Sequence, residues 1–165
     1  MSFRDDNNFI KSTIDTYSDM IYRICLLYLK NRLDVEDAYQ EIFIKIIEKV
    51  PQFINEEHRK AWIITISSNH CKNVLKYKKY RQTSLLDENL VSSNDSNEDK
   101  EILKTIFNLP LNYRNVIYLY YYEGYSTREI STILKQRDAT VRTWLKRARE
   151  SLKIMIGGAF NEQDQ

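Results

Sequence analysis

Ser126–Leu152, STREISTILKQRDATVRTWLKRARESL, reads as two short helices joined by a tight polar turn. Ser126 can cap the first helix, and Glu129, three residues on, can reach back to complete a capping box. Ile130, Ile133 and Leu134 follow at the spacing of one helical face. Lys135-Gln136-Arg137-Asp138 breaks the pattern. Asp138 or Thr140 can cap a second helix, whose buried stripe is Val141, Leu145, Ala148 and Leu152. The rest of its surface carries Arg142, Thr143, Lys146, Arg147, Arg149 and Lys153. From Ser126 to Lys153 there are eight Lys/Arg and three acids, a net charge of +5. A helix-turn-helix places its second helix in the DNA major groove, where such donors meet guanine edges and phosphates. An isolated basic helix is more often just solvated; here the capped first helix and the spacing favour DNA.

Working outward, the 165 residues carry a net charge of only +2, so total charge identifies no partner. Three Gly and two Pro leave few places for tight hairpins, and no stretch alternates strictly enough for a sheet. The fold class expected is all-α. Cys25 and Cys71 lie in helix-like segments, and neither has a Cys or His at metal-ligand spacing, so buried reduced thiols are expected and no cofactor or metal. The N-terminus, MSFRDDNNF, is polar and acidic and unlike a signal peptide, and no apolar run approaches the roughly eighteen residues of a membrane span. A cytoplasmic protein without membrane insertion is expected.

Residues 9–30 place Phe9, Ile14, Tyr17, Ile21, Ile24 and Tyr28 at helical spacing, with Asn31-Arg32 as the stop. Asp34 then caps a second helix whose buried face is Val35, Ala38, Tyr39, Ile42, Ile46 and Ile47, and Pro51 ends it near Val50. Asn55-Glu56-Glu57 leads into a third helix over about 58–79, with Trp62, Ile66, Val74 and Tyr77 as inward positions. Residues 82–99, QTSLLDENLVSSNDSNED, have the composition of a flexible linker. The spacing then predicts a helix over 100–108 and another from Tyr113 to Glu123, ended by Gly124. The run Tyr118-Leu119-Tyr120-Tyr121-Tyr122 fits a packing helix that supports the helix-turn-helix better than a stacking surface. Two modules are expected, residues 1–81 and 100–157, joined by the linker.

Charge is segregated along the first module. Asp34–Glu57 has seven acids and two bases, net −5, and Arg59–Arg81 has seven bases and no acids, net +7. The first half is built to meet a basic partner and the second an anion. In the second half Asn69, Lys72, Asn73 and Lys76 share one helix face. Asn can donate to and accept from a base edge, Lys neutralises phosphate, and Trp62, Tyr77 and Tyr80 offer stacking surfaces for unpaired bases, although for Trp62 a core position fits better.

Asp34-Val-Glu-Asp-Ala-Tyr-Gln-Glu-Ile-Phe43, followed by Ala61-Trp62-Ile63, resembles region two of bacterial sigma factors. Leu109-Pro110, Glu123-Gly124-Tyr-Ser126, Glu129-Ile130 and Thr140-Val141-Arg-Thr-Trp-Leu-Lys-Arg147-Ala148-Arg149 resemble region four. Two such regions on a direct linker resemble the extracytoplasmic-function (ECF) group of the sigma-70 family. Ala139 stands where that family often has Gly, and Trp144 where it commonly has a small or basic residue. The resemblance implies that Asp34, Glu36, Asp37, Gln40 and Glu41 dock on core RNA polymerase. It implies that Asn69, Lys72, Asn73 and Lys76 capture the unpaired minus-ten strand of promoter DNA. Arg142, Thr143, Lys146 and Arg147 then read the minus-thirty-five duplex, with Arg137 and Thr140 near phosphate. It also implies an anti-sigma factor as partner.

No paired carboxylates on one face, metal-ligand cluster or Ser/His/Asp set stands in the chain, so an enzyme is not expected. The alternative that remains is a stand-alone helix-turn-helix regulator that binds operator DNA as a dimer, although no heptad seam is present.

Overall fold

The computed structural model describes residues 3–49, 51–79 and 104–156. The chain divides into two compact units, Met1–Leu90 and Val91–Gln165. Among the described residues there is helix and no strand. The segment read as a linker, 82–99, lies outside the described residues, as do residues 100–103 of the helix expected over 100–108; residues 104–107 are helical.

The first unit is three helices, α1 (Phe3–Tyr28), α2 (Arg32–Glu48) and α3 (Glu56–Lys79), each packed on the other two. Its core is Tyr17, Ile21, Ile24 and Tyr28 from α1, Val35, Ala38, Ile42 and Ile46 from α2, and Ile63, Ile64 and Cys71 from α3. Cys25 and Cys71 are buried free thiols with their Sγ atoms 3.9 Å apart. The shared S–H contact and the loss of solvent together push the Cys71 thiol far up from its ordinary range.

The cap of α2 differs from the expectation. Asn31, not Asp34, caps it: the Asn31 Oδ1 accepts from Leu33 N (2.9 Å) and Asp34 N (3.4 Å). Asn31 thus begins this helix instead of closing the previous one, and Asp34 lies in the first turn, where a negative charge suits the helix dipole. In α3 Asn55 plays the same part, its Oδ1 accepting from His58 N (2.8 Å), while His58 Nδ1 accepts from Ile54 N (3.2 Å).

Three positions expected inside face solvent. Ile14 is exposed because Thr13 takes the inward place, donating to Phe9 O (2.8 Å) and accepting from Arg59 Nη2 (2.6 Å). Ile47 lies a further 100° around α2 from Ile46, past the edge of the buried stripe. Tyr77 stands beyond Cys71, after which no described residue of α3 is buried.

The second unit holds α4 (Leu111–Ile117), a π-helical turn (Tyr118–Tyr122), α5 (Thr127–Leu134) and α6 (Asp138–Ile156). Helix α4 and α5 both pack on α6. Pro110 precedes α4, so the helix starts two residues before Tyr113, as proline at the entry favours. Its continuation widens: Glu123 N donates to Tyr118 O five residues back (3.1 Å). Gly124 closes the turn at φ +76°, and Tyr125 N donates to Leu119 O (3.0 Å).

Candidate nucleic-acid interfaces and docking face

The helix-turn-helix forms as its caps dictate. Ser126 Oγ accepts from Glu129 N (3.2 Å), and Glu129 Oε2 accepts from Ser126 N (2.8 Å), a complete capping box. Ile130, Ile133 and Leu134 are buried. Lys135 ends α5 in the left-handed region, at φ 53°. Neither Asp138 nor Thr140 caps α6: the Arg137 carbonyl accepts the first helical bond, from Val141 N (3.1 Å), and Asp138 opens the helix. Asp138 Oδ2 instead pairs with Arg142 Nε (3.0 Å).

Val141, Leu145, Ala148 and Leu152 form the buried stripe of α6. The opposite face presents Arg142, Thr143, Lys146 and Arg147, all exposed, with Arg137 exposed and Thr140 half-buried at its N-terminal end. Thr143 Oγ1 donates back to Ala139 O (2.9 Å), and Ala139 itself is exposed on this face. Trp144 is half-buried on the flank. Arg149 leaves the basic face. Its guanidinium lies 5.3 Å and 5.5 Å from the ring centres of Tyr120 and Tyr121, and its Nε donates to the Tyr121 hydroxyl. The π turn orients these rings, with Tyr118 and Tyr122 stacked at 5.3 Å. The tyrosine run thus packs as support for α6 through Arg149, with Tyr118 and Leu119 buried.

In the first unit Asn69, Asn73 and Lys76 are exposed and Lys72 is half-buried, all toward one side of α3. Trp62, expected inside, is only half-buried. It lies seven residues before Asn69 and so on the same face, its inner edge against Phe53 at 5.4 Å. The seven-residue spacing Trp62, Asn69, Lys76 is the signal that could have placed it there. Phe53 also stacks on Phe9 (5.9 Å) and meets His58 edge-on (5.7 Å), which fixes the segment that precedes α3.

On α2 the five candidate docking residues separate. Asp37 and Gln40 are exposed in mid-face. Glu36 is half-buried and accepts from Arg32 Nε (3.0 Å). Asp34 is paired with Lys78 of α3. Glu41 Oε2 lies 2.8 Å from Nε2 of the buried His70, also of α3. Between the acids stand Leu33, Ile44 and Ile47, all exposed. Composition counted the acids and missed these, because apolar periodicity does not distinguish a core stripe from a contact stripe.

Among the described residues no group of three or more His, Cys, Asp or Glu could hold a metal ion, and no helix is long and apolar enough to cross a membrane. A helix-turn-helix with a basic outer face and, on the same chain, a three-helix unit with one acidic and one basic face define an all-helical DNA-binding protein of two modules. Residues 13–81 match the family described as sigma-70 region 2, and residues 99–152 match sigma-70, region 4. The chain belongs to the ECF group of the sigma-70 family. It is 29% identical to the ECF RNA polymerase sigma factor SigW of Bacillus subtilis, over 93% of this chain and 91% of that one. It is 26% identical to SigM of the same organism, over 89% and 94%. Its fold resembles that of the sigma factor RpoE from Bartonella quintana, solved with the anti-sigma factor NepR, at TM-score 0.76 and 16% identity over 91% of this chain and 98% of that one. It also resembles CnrH, solved with the cytosolic domain of CnrY, at TM-score 0.63 and 16% identity over 93% and 91%.

Proposed function

We infer that this protein is a promoter-specificity subunit of bacterial RNA polymerase: it binds the core enzyme, directs it to promoters and supports strand opening. The observation that carries the reading is the recognition helix, whose Arg142, Thr143, Lys146 and Arg147 face outward from a capped and packed helix-turn-helix. Residues 1–81 are read as region 2 and 100–157 as region 4, with 82–99 as the tether. Arg137 and Thr140, at the N-terminal end of α6, are read as phosphate contacts, and α6 as the reader of the minus-thirty-five element.

The face of α3 bearing Asn69, Lys72, Asn73 and Lys76, extended by Trp62, takes the unpaired minus-ten strand. Amide groups match base edges, ammonium groups match phosphate, and the indole offers a stacking surface. Asp37 and Gln40 at the centre of α2, with Glu36, Glu41 and Asp34 around them, dock on a basic element of core polymerase. Leu33, Ile44 and Ile47 supply the apolar contact that a charged rim alone lacks.

The work is non-enzymatic. Binding energy from two modules held on one polymerase offsets duplex opening, and each weak contact gains from effective concentration. The site of action is the cytoplasm, where the polymerase is. An anti-sigma factor is a further partner, as in the solved RpoE–NepR pair, and would act by covering these same surfaces.

Run-off transcription with purified core polymerase on a randomised promoter library tests the reading. Core plus this chain gives discrete transcripts from templates that share two spaced elements. Transcripts no more selective than those of core alone would refute it.

A further inference from the structure

His70 lies on the side of α3 turned toward α2, one residue beyond Asn69, and is 7% exposed. Its Nε2 is 2.8 Å from Glu41 Oε2, within hydrogen-bond reach of that carboxylate. A buried imidazole without partners is costly, so the Glu41 carboxylate is what compensates it. That carboxylate belongs to a side chain still 47% exposed. Glu41 is thus held from inside the unit and open to solvent on the outside. A second pair across these helices, Asp34 with Lys78, is different: its side chains are 23% and 34% exposed, so both are half-buried and neither is anchored in the core.

We propose that His70 is a positioning residue of the α2 docking face, bracing the Glu41 carboxylate from beneath so that it meets the basic element of core polymerase already ordered. This rests on the reading of α2 as the docking helix. A free glutamate side chain samples many rotamers, and a partner that fixes it on binding must offset the lost entropy. A brace supplied by the fold removes that cost in advance. The expected loss on removing the brace is about three- to tenfold in core affinity.

The test is equilibrium binding of the full-length chain to core polymerase, with denaturant unfolding of each variant as the check on folding. His70→Gln returns an N–H donor near the place of Nε2, whereas His70→Asn puts its donor near the place of Nδ1. His70→Leu and His70→Asn are expected to bind three- to tenfold more weakly and His70→Gln to match the parent chain. Glu41→Ala weakens binding, and His70→Leu added to it brings no further loss. Equal affinity for the Gln and Asn variants, or a His70→Leu effect that adds fully to Glu41→Ala, would overturn the proposal, because a merely structural histidine gives those results. If Glu41→Ala binds core as the parent chain does, the docking role of Glu41 fails first and the brace with it. If His70→Leu does not fold, the Gln-against-Asn comparison decides.

Discussion

Arg59 fastens the start of α3 to α1. It is 7% exposed, and its Nη1 donates to Ser12 Oγ (3.2 Å) and Glu56 Oε1 (3.0 Å). Its Nη2 donates to Thr13 Oγ1 (2.6 Å) and Phe9 O (3.4 Å), and the guanidinium plane lies 4.8 Å from the Phe9 ring centre and 5.3 Å from that of Tyr17. Tyr17 in turn donates to Glu56 Oε2 (2.7 Å), and with Arg59 holds that carboxyl below its ordinary range. Only a planar fork can serve these acceptors together. Arg59→Lys is therefore expected to cost about 2–3 kcal/mol in denaturant unfolding at unchanged slope; a loss under about 0.5 kcal/mol would mean the fork is dispensable. Arg147 stands at the other extreme, exposed and on the outer face of α6. Arg147→Ala is expected to leave stability within about 0.5 kcal/mol. It should weaken promoter binding by the holoenzyme and, where Arg147 meets a phosphate, reduce the salt slope by about 1. An unchanged affinity and slope would remove Arg147 from the interface.

At the scale of the element, α2 and α3 are joined by His70, which makes their packing sensitive to pH. Burial first, and the Lys45 charge second, lower the His70 pKa from 6.5, against the opposing pull of Glu41 and Asp37. The unfolded chain therefore binds the proton more readily than the folded one. The stabilisation is complete above about pH 6.5 and is lost as pH falls from there through the lowered value. Unfolding free energy of the parent chain should drop across that window, and His70→Gln should flatten the drop; equal slopes for both would sink the assignment. The exposed row on α2 makes a separate prediction. Ile44→Ala and Ile47→Ala should change stability by no more than about 0.5 kcal/mol yet weaken core binding severalfold, measured by competition with the parent chain. Loss of stability without loss of affinity would return both residues to a packing role.

These elements also show what the sequence carries and what it does not. The helix-turn-helix was legible almost in full, because the Ser126–Glu129 box and the stripe Val141, Leu145, Ala148, Leu152 depend on neighbours three and four residues away. The cap of α2 is not legible, because Asn31 and Asp34 are both good caps three residues apart, and only the backbone conformation chooses. The inward Thr13 and the outward Ile14 follow from Arg59, 46 residues after Thr13. The pairs His70–Glu41 and Lys78–Asp34 cross between helices, so no local pattern announces them. In the π turn Tyr120 and Tyr121 meet Arg149 of α6, again a contact that no local pattern announces.

For the whole molecule, the question is whether the two units act alone or only on the polymerase. On the proposed reading each offers a small set of contacts: Arg142, Thr143, Lys146 and Arg147 on α6, and Asn69, Lys72, Asn73 and Lys76 on α3 together with the acidic face of α2. A single reading helix with so few base contacts gives only weak specific binding by itself, since half-site pairing in a symmetric dimer is what lends stand-alone regulators their affinity. Held together on core polymerase, the same contacts act at high effective concentration and their free energies combine. Footprinting of a selected promoter should therefore show protection of two spaced elements with core enzyme present, and no specific protection by the free chain at concentrations up to the micromolar range. Asp37→Lys, which puts a like charge against the basic partner, should abolish the core-dependent footprint even though α6 is untouched. A footprint from the free chain with two-fold symmetry, unaffected by Asp37→Lys, would instead make this a dimeric operator-binding regulator, because only that arrangement supplies specific affinity without the polymerase.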